Sequence, residues 1–72
     1  MNQMKLAREK AGLSQGLLAR KTGYSNSVIT MTENNYMRSY PKLRERIASA
    51  LEVQESEIFD EDGWVRDEKA SS

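Results

Sequence analysis

The side chains of this chain that could do chemistry are hydroxyls, amides, carboxylates and cations, because its 72 residues include neither cysteine nor histidine. This composition excludes disulfides, thiolate and imidazole metal sites, and acid–base catalysis by imidazole. The sequence also lacks a glycine-rich phosphate loop and a pair of carboxylates spaced for catalysis. We therefore expect a binding protein that uses no metal or cofactor, and not an enzyme.

The charged residues are segregated along the chain. The formal net charge is zero, but residues 1–46 carry nine Lys or Arg against three Glu, whereas residues 47–72 carry two basic residues against eight acidic ones. Such a chain can present a basic face to a nucleic acid, while its acidic end repels DNA or meets a basic partner. The alternative is that these charged residues are solvated and bind no partner. The cations that could contact phosphates are Lys5, Lys10, Arg20, Lys21, Arg38 and Lys42.

Length and hydropathy indicate the number of domains and the cellular location. A chain of 72 residues forms one small domain, and such a domain buries only about 60% of the surface that its unfolded chain exposes. We therefore expect marginal stability or association. No apolar run approaches the ~20 residues that a membrane-spanning helix needs, and the N-terminal MNQMKLAREK lacks the apolar core of a signal peptide. We expect a cytoplasmic protein with no membrane partner.

The middle of the sequence predicts two short helices joined by a tight turn. Ser14 and Ser25 are good N-caps, and an apolar residue before each can close a hydrophobic staple with another four residues after it. Gly23 stands where a helix ends in a left-handed conformation, which glycine adopts without steric cost. Two capped helices joined by a short turn with Gly are the sequence form of a helix-turn-helix. The staple pairs are Leu13 with Leu18 and Tyr24 with Ile29.

The remaining chain adds three helices to this pair. Apolar residues at helical spacing predict a first helix over residues 4–11, which Gly12 ends. Pro41 can begin a fourth helix, and a last short helix begins near Gln54, with Phe59 closing the core. The sequence thus predicts an all-α bundle of five short helices over residues 1–59, followed by an acidic C-terminal tail over residues 60–72.

Over roughly residues 3–59 the chain resembles the phage-repressor (Cro/C1, also called XRE) family. The resemblance implies a lambda-repressor-like DNA-binding domain, a compact bundle whose second and third helices form the DNA-reading unit. The residues that carry it are Leu13-Ser14-Gln15, Leu18-Ala19, Gly23, Ser25, Ile29 and Glu33-Asn34, followed by Ile47-Ala48, Ala50-Leu51, Val53 and Ile58-Phe59.

The resemblance also implies roles for individual residues. Gln15, at the first turn of helix 2, is placed to hold a phosphate, and Asn34 could donate to another. Arg8 would pair with Glu33 and fasten helix 1 to the reading helix; a solvated or phosphate-contacting Arg8 is the alternative. No Arg, Lys or Gln stands on the reading face, so direct readout should be weak, with about one bidentate contact worth ~1–3 kcal/mol. The base contacts implied are Asn26, Ser27, Thr30 and Met31.

Several apolar residues depart from the family pattern or lie in segments suited to protein contacts. Leu6 and Leu17 occupy positions where we expect exposure. The pair Trp64 and Val65 interrupts the acidic tail and either packs back onto the domain or docks onto a partner. The candidates for a protein interface are Leu6, Leu17, Tyr36, Met37, Tyr40, Trp64 and Val65.

Two functions fit these observations. The first is a regulator of a phage-type genetic switch that binds double-stranded operator DNA through helix 3, as a homodimer, in a bacterial host cell. The second is an antirepressor or modulator that uses the same fold to bind a partner repressor and block or alter its DNA binding. The family pattern favours the first function, whereas the uncharged reading face and the acidic half favour the second. An antitoxin paired with a toxin is a variant of the second.

Overall fold

The computed structural model describes residues 2–67. Residues 68–72 of the predicted acidic tail lie outside the described residues. The predicted all-α bundle of five helices is confirmed over residues 2–67. The helices are α1 (Gln3–Lys10), α2 (Gln15–Thr22), α3 (Asn26–Glu33), α4 (Pro41–Leu51) and α5 (Glu55–Ile58).

The caps predicted for the central helices are present. The Ser14 hydroxyl oxygen accepts the Leu17 N–H at 3.1 Å, and the Ser25 hydroxyl oxygen accepts the Val28 N–H at 3.2 Å. Gly23 ends α2 in the left-handed conformation with a φ of +85°. These contacts fix the ends of α2 and α3, and thereby the turn between them.

The start of α1 differs from the prediction by one residue. The helix begins at Gln3 and not at residue 4, because Asn2 caps it by accepting the Lys5 N–H at 2.8 Å. The Asn2 amide also donates to the Glu33 carbonyl at 2.6 Å. One asparagine therefore closes the first turn of α1 and the last turn of α3.

One aliphatic core joins the helices. α2 packs against both α3 and α4, while α5 packs against α1 and α4. Thr22 and Thr32 are also buried in this core, and each donates its hydroxyl to the carbonyl four residues earlier in its own helix. No helix within residues 2–67 has the length and apolar character needed to cross a membrane. The fully buried aliphatic side chains are Met4, Leu18, Ile29, Leu43, Ile47 and Ile58.

A non-helical segment over residues 59–67, the C-terminal strap, follows α5 and turns at residues 61–63. Phe59 bridges to Val65 in antiparallel fashion, and Asn2 bridges to Asp67. The Gln3 N–H donates to the Arg66 carbonyl at 2.9 Å. The strap is therefore joined to the beginning of α1 through backbone hydrogen bonds.

The loop after α3 holds the middle of the strap. The Asn35 side-chain amide donates to the Val65 carbonyl at 3.2 Å, and its carbonyl oxygen accepts the Val65 N–H at 3.0 Å. Val65 is 5% exposed and belongs to the core, whereas Trp64 remains 38% exposed. Of the two readings of this apolar pair, Val65 follows the one in which it packs back onto the domain.

Candidate nucleic-acid interface

The four residues implied as base contacts lie on one side of α3, which we call the reading face: Asn26, Ser27, Thr30 and Met31. Asn26, Ser27 and Met31 are exposed and Thr30 is half-buried. The opposite side of the helix is buried through Ile29, Thr32 and Glu33, which is the division expected for an amphipathic helix with a period of 3.6 residues. The reading face is uncharged.

A polar groove adjoins the reading face. It runs between α1, the first turn of α2 and both ends of α3, and Asn26 lines it from the reading face. Among the residues predicted to contact phosphates, Lys5, Gln15 and Asn34 line this groove. The structure therefore gathers one cation and two amides beside the reading helix.

A buried ion pair forms the floor of the polar groove. The Arg8 guanidinium donates to both carboxylate oxygens of Glu33, at 2.9 and 3.1 Å, and the two side chains are 10% and 4% exposed. Hydrogen bonding to Glu33 raises the pKa of Arg8. Arg8 also donates to the Leu13 carbonyl at 2.9 Å. This pair fastens α1 and the loop after it to the end of α3.

Gln15 and Thr30 extend the ion pair to the reading face. The Gln15 amide nitrogen donates to Glu33 Oε2 at 3.1 Å, and the Gln15 amide oxygen accepts the Thr30 hydroxyl at 3.0 Å. Both side chains, expected to contact DNA, therefore also bond within the domain. One N–H of the Gln15 amide remains for a phosphate, because a primary amide has two.

The other predicted phosphate contacts lie elsewhere. Lys10 and Lys21 line a second groove, the α1–α5 groove, which lies between α1, α5 and the end of α4 and is lined by both apolar and charged side chains. Lys42 lines a third depression, which it shares with Lys21. Arg38 lies beside Gly63 of the C-terminal strap, and Arg20 is exposed on α2. The structure does not bring these five cations together with Gln15 and Asn26.

The candidate protein-contact residues are likewise spread over the surface. Tyr36 is 79% exposed and Leu17 is 47% exposed, whereas Met37 packs against the core. Leu6 lines the α1–α5 groove, and Leu17 is not among the residues that line it. Tyr40 meets Tyr24 edge-on, with 6.2 Å between the ring centroids. Leu6 therefore lies in a concave surface.

Sequence reasoning missed Asn2 and Arg46. An asparagine before an amphipathic stretch is a usual N-cap signal, so the capping role of Asn2 could have been predicted. Arg46 donates to the Thr22 carbonyl at 3.1 Å, and its guanidinium carbon lies 5.8 Å from the centre of the Tyr24 ring. No local signal marks this contact, because it joins residues 24 positions apart.

Comparison with known proteins adds one finding. A family model described as helix-turn-helix matches residues 4–58, from the second residue of α1 to the last residue of α5. No curated protein and no solved structure matches the chain. The match ends where the C-terminal strap begins.

Proposed function

Because the chain belongs to the helix-turn-helix family of the phage-repressor (Cro/C1, XRE) type, we propose that it regulates a phage-type genetic switch by binding operator DNA through α3. The family is one of DNA-binding regulators. The operator, the switch and the residues that contact DNA are the parts that we propose.

The polar groove beside α3 carries this proposal. It joins Asn26 of the reading face to Lys5, to Asn34 and to the first turn of α2. Free backbone N–H groups at the start of a helix, together with the remaining N–H of Gln15, suit a phosphate. Asn26 can bond adenine through two hydrogen bonds in the major groove. The groove thus combines one base-reading side chain with groups that hold the DNA backbone.

A homodimer completes the proposal. Dimeric helix-turn-helix proteins place their reading helices about one DNA turn apart, roughly 34 Å, in successive major grooves. We propose that the chain pairs through α5 or the C-terminal strap, which leaves the reading face free for the operator.

A second function, binding of a partner repressor, is supported by the distribution of charge and apolar surface. The reading face has no cation, and Lys10, Lys21 and Lys42 lie away from it. The α1–α5 groove offers Leu6 to a partner and is lined by both basic and acidic side chains. A protein with this surface could dock onto a repressor and block its DNA binding, as an antirepressor does.

Binding measured against salt distinguishes the two functions. The purified chain is titrated onto its upstream intergenic DNA at low and moderate salt, alone and with the neighbouring repressor. Operator binding predicts a steep loss of affinity with salt. Lys5→Ala should lower the slope of log affinity against log salt by about 1, and Lys21→Ala should leave it unchanged. A chain that binds no DNA alone but forms a 1:1 complex with the repressor would establish the second function.

A further inference from the structure

A series of hydrogen bonds connects Glu33 to the reading face, and in each of them the donor and the acceptor are determined. Both oxygens of the Glu33 carboxylate accept hydrogen bonds from Arg8, and a carboxylate has no hydrogen to donate. The Gln15 side chain must therefore turn its nitrogen toward Glu33, and these atoms are 3.1 Å apart. Its amide oxygen is then directed away from Glu33 and lies 3.0 Å from the Thr30 hydroxyl.

The direction of these hydrogen bonds determines whether the Thr30 hydroxyl can donate to DNA or only accept from it. An amide oxygen only accepts, so the Thr30 hydroxyl must use its single hydrogen to donate to Gln15. Only lone pairs of the hydroxyl oxygen then remain for a ligand. A threonine with a free hydroxyl could instead donate or accept, and would bond any base.

The bases differ in what they present to such an acceptor. In the major groove, adenine and cytosine present an amino group that donates, whereas guanine and thymine present carbonyl oxygens that accept. We propose that Thr30 is a specificity-determining residue that selects adenine or cytosine on the strand it faces. Gln15 and Glu33 act as positioning residues that fix the direction of its hydrogen bond. This inference rests on the proposed binding of operator DNA.

Ser27 provides an internal comparison on the same face. Its side chain is exposed, and the hydrogen bonds within residues 2–67 assign it no partner that would fix the direction of its hydroxyl. Ser27 can therefore donate to one base and accept from another. The position read by Thr30 should therefore show a preference for amino groups, and the position read by Ser27 should show none.

Selection from a randomised duplex library tests the inference. Besides the adenine that Asn26 reads, the wild-type chain should show one position at which adenine and cytosine are both preferred over thymine and guanine by about 3- to 10-fold, the range expected of one net hydrogen bond. Thr30→Val should abolish that preference and leave the other positions unchanged, while Thr30→Ser should retain it. Ser27→Ala is the matched control and should also retain it.

Gln15→Leu separates positioning from contact. This variant loses a phosphate contact and should bind all sequences more weakly. It also releases the Thr30 hydroxyl hydrogen, so that Thr30 can donate to a base or accept from one. The base preference at the Thr30 position should therefore disappear, although Thr30 still contacts the base. Circular dichroism melting of each variant shows that the fold is retained.

Each outcome decides a different claim. The inference would be overturned if Thr30→Val changed the base preference at no position, or if the preference survived in Gln15→Leu. In either case sequence-specific binding would still support the proposed function. Absence of any sequence-specific binding would overturn both.

Discussion

The helix-turn-helix unit, α2 with α3, and the C-terminal strap are held to the same core by different kinds of contact. The unit is fixed by side chains, since Gln15 bonds to both Glu33 and Thr30, and Arg8 of α1 bonds to Glu33. The strap is fixed largely by its backbone, whose N–H and carbonyl groups pair with α1, with the end of α5 and with the loop before α4. The family match covers the first region and stops before the second.

This difference predicts how each region responds to mutation. Contacts between charged side chains depend on residue identity, and their loss leaves a buried charge unpaired. Contacts between backbone groups tolerate many side chains, but they fail when a residue cannot adopt the required backbone conformation. Changes of charge should therefore act most strongly in the unit, and changes of backbone freedom in the strap.

The largest effect is expected from Arg8→Met. It leaves the Glu33 carboxylate buried without its partner, and breaking a buried pair in this way costs about 3–5 kcal/mol. A chain of 72 residues has a free energy of unfolding of roughly 4–11 kcal/mol on the usual scale. Urea denaturation followed by circular dichroism should therefore show a large fall in the midpoint or an unfolded protein.

The double variant Arg8→Met with Glu33→Leu is the control for charge. It removes both members of the pair, so no unpaired charge remains, and its unfolding free energy should recover to within about 1–2 kcal/mol of the wild type. An undiminished loss in the double variant would show that the packing of Arg8, and not its charge, holds α1 to α3.

The next effect is expected from Gly63→Ala in the strap. Gly63 has a φ of +94°, and a Cβ there would lie 2.5 Å from both the Ser39 carbonyl oxygen and an Arg44 nitrogen. We expect a loss of about 2–4 kcal/mol from left-handed strain and overpacking together. Gly12→Ala is the matched control, because Gly12 has a φ of +74° with no atom within 4 Å of the added Cβ. It should lose only ~1–2 kcal/mol, and equal losses in urea denaturation would refute the close packing of the strap.

The same division explains what could be predicted from the sequence. The caps at Ser14 and Ser25 and the left-handed Gly23 were predictable, because each depends on residues within one helical turn. The backbone pairing of the strap was not, since carbonyl and N–H groups carry no residue signature. The hydrogen bonds that the Asn35 side chain makes with Val65 were not predictable either, because they join positions 30 apart.

The candidate site follows the same rule. The reading face could be predicted because helical periodicity and the family pattern together determine which residues of α3 are exposed. The location of the lysines could not, because it depends on how α1, α4 and α5 pack. Lys5 lines the polar groove, whereas Lys10 lines the α1–α5 groove, although both belong to α1.

A smaller effect is expected from Thr32→Val within the unit. Thr32 is fully buried, and its hydroxyl donates to the Val28 carbonyl at 2.7 Å. Valine has a similar shape but lacks this hydrogen bond, so the unfolding free energy should fall by about 0.5–1.5 kcal/mol. Thr22→Val should lose more, because the Thr22 oxygen also accepts the Tyr24 N–H at 3.4 Å. A gain of stability in Thr32→Val would show that burying this hydroxyl costs more than its hydrogen bond contributes.

The smallest effect concerns Asp60, the side chain on which the turn of the strap depends. Its carboxylate accepts the Trp64 and Asp62 N–H groups at 3.0 and 2.9 Å, and these bonds, that from Trp64 most strongly, lower the pKa of Asp60 below its ordinary value of 3.8. Because the folded pKa is the lower one, the contribution to stability is complete above pH 3.8 and is lost as the pH falls through the folded value.

Hydrogen exchange of the Asp62 and Trp64 amides, followed from neutral pH to below the folded pKa of Asp60, measures this contribution. After correction for the intrinsic pH dependence of exchange, the protection of these two amides should fall in that pH range in the wild type. In Asp60→Asn this fall should be absent. An Asp60 that titrates at or above 3.8 would mean that the backbone alone holds the turn. The contrast between the unit and the strap would then be sharper, because no side-chain charge would contribute to the turn of the strap.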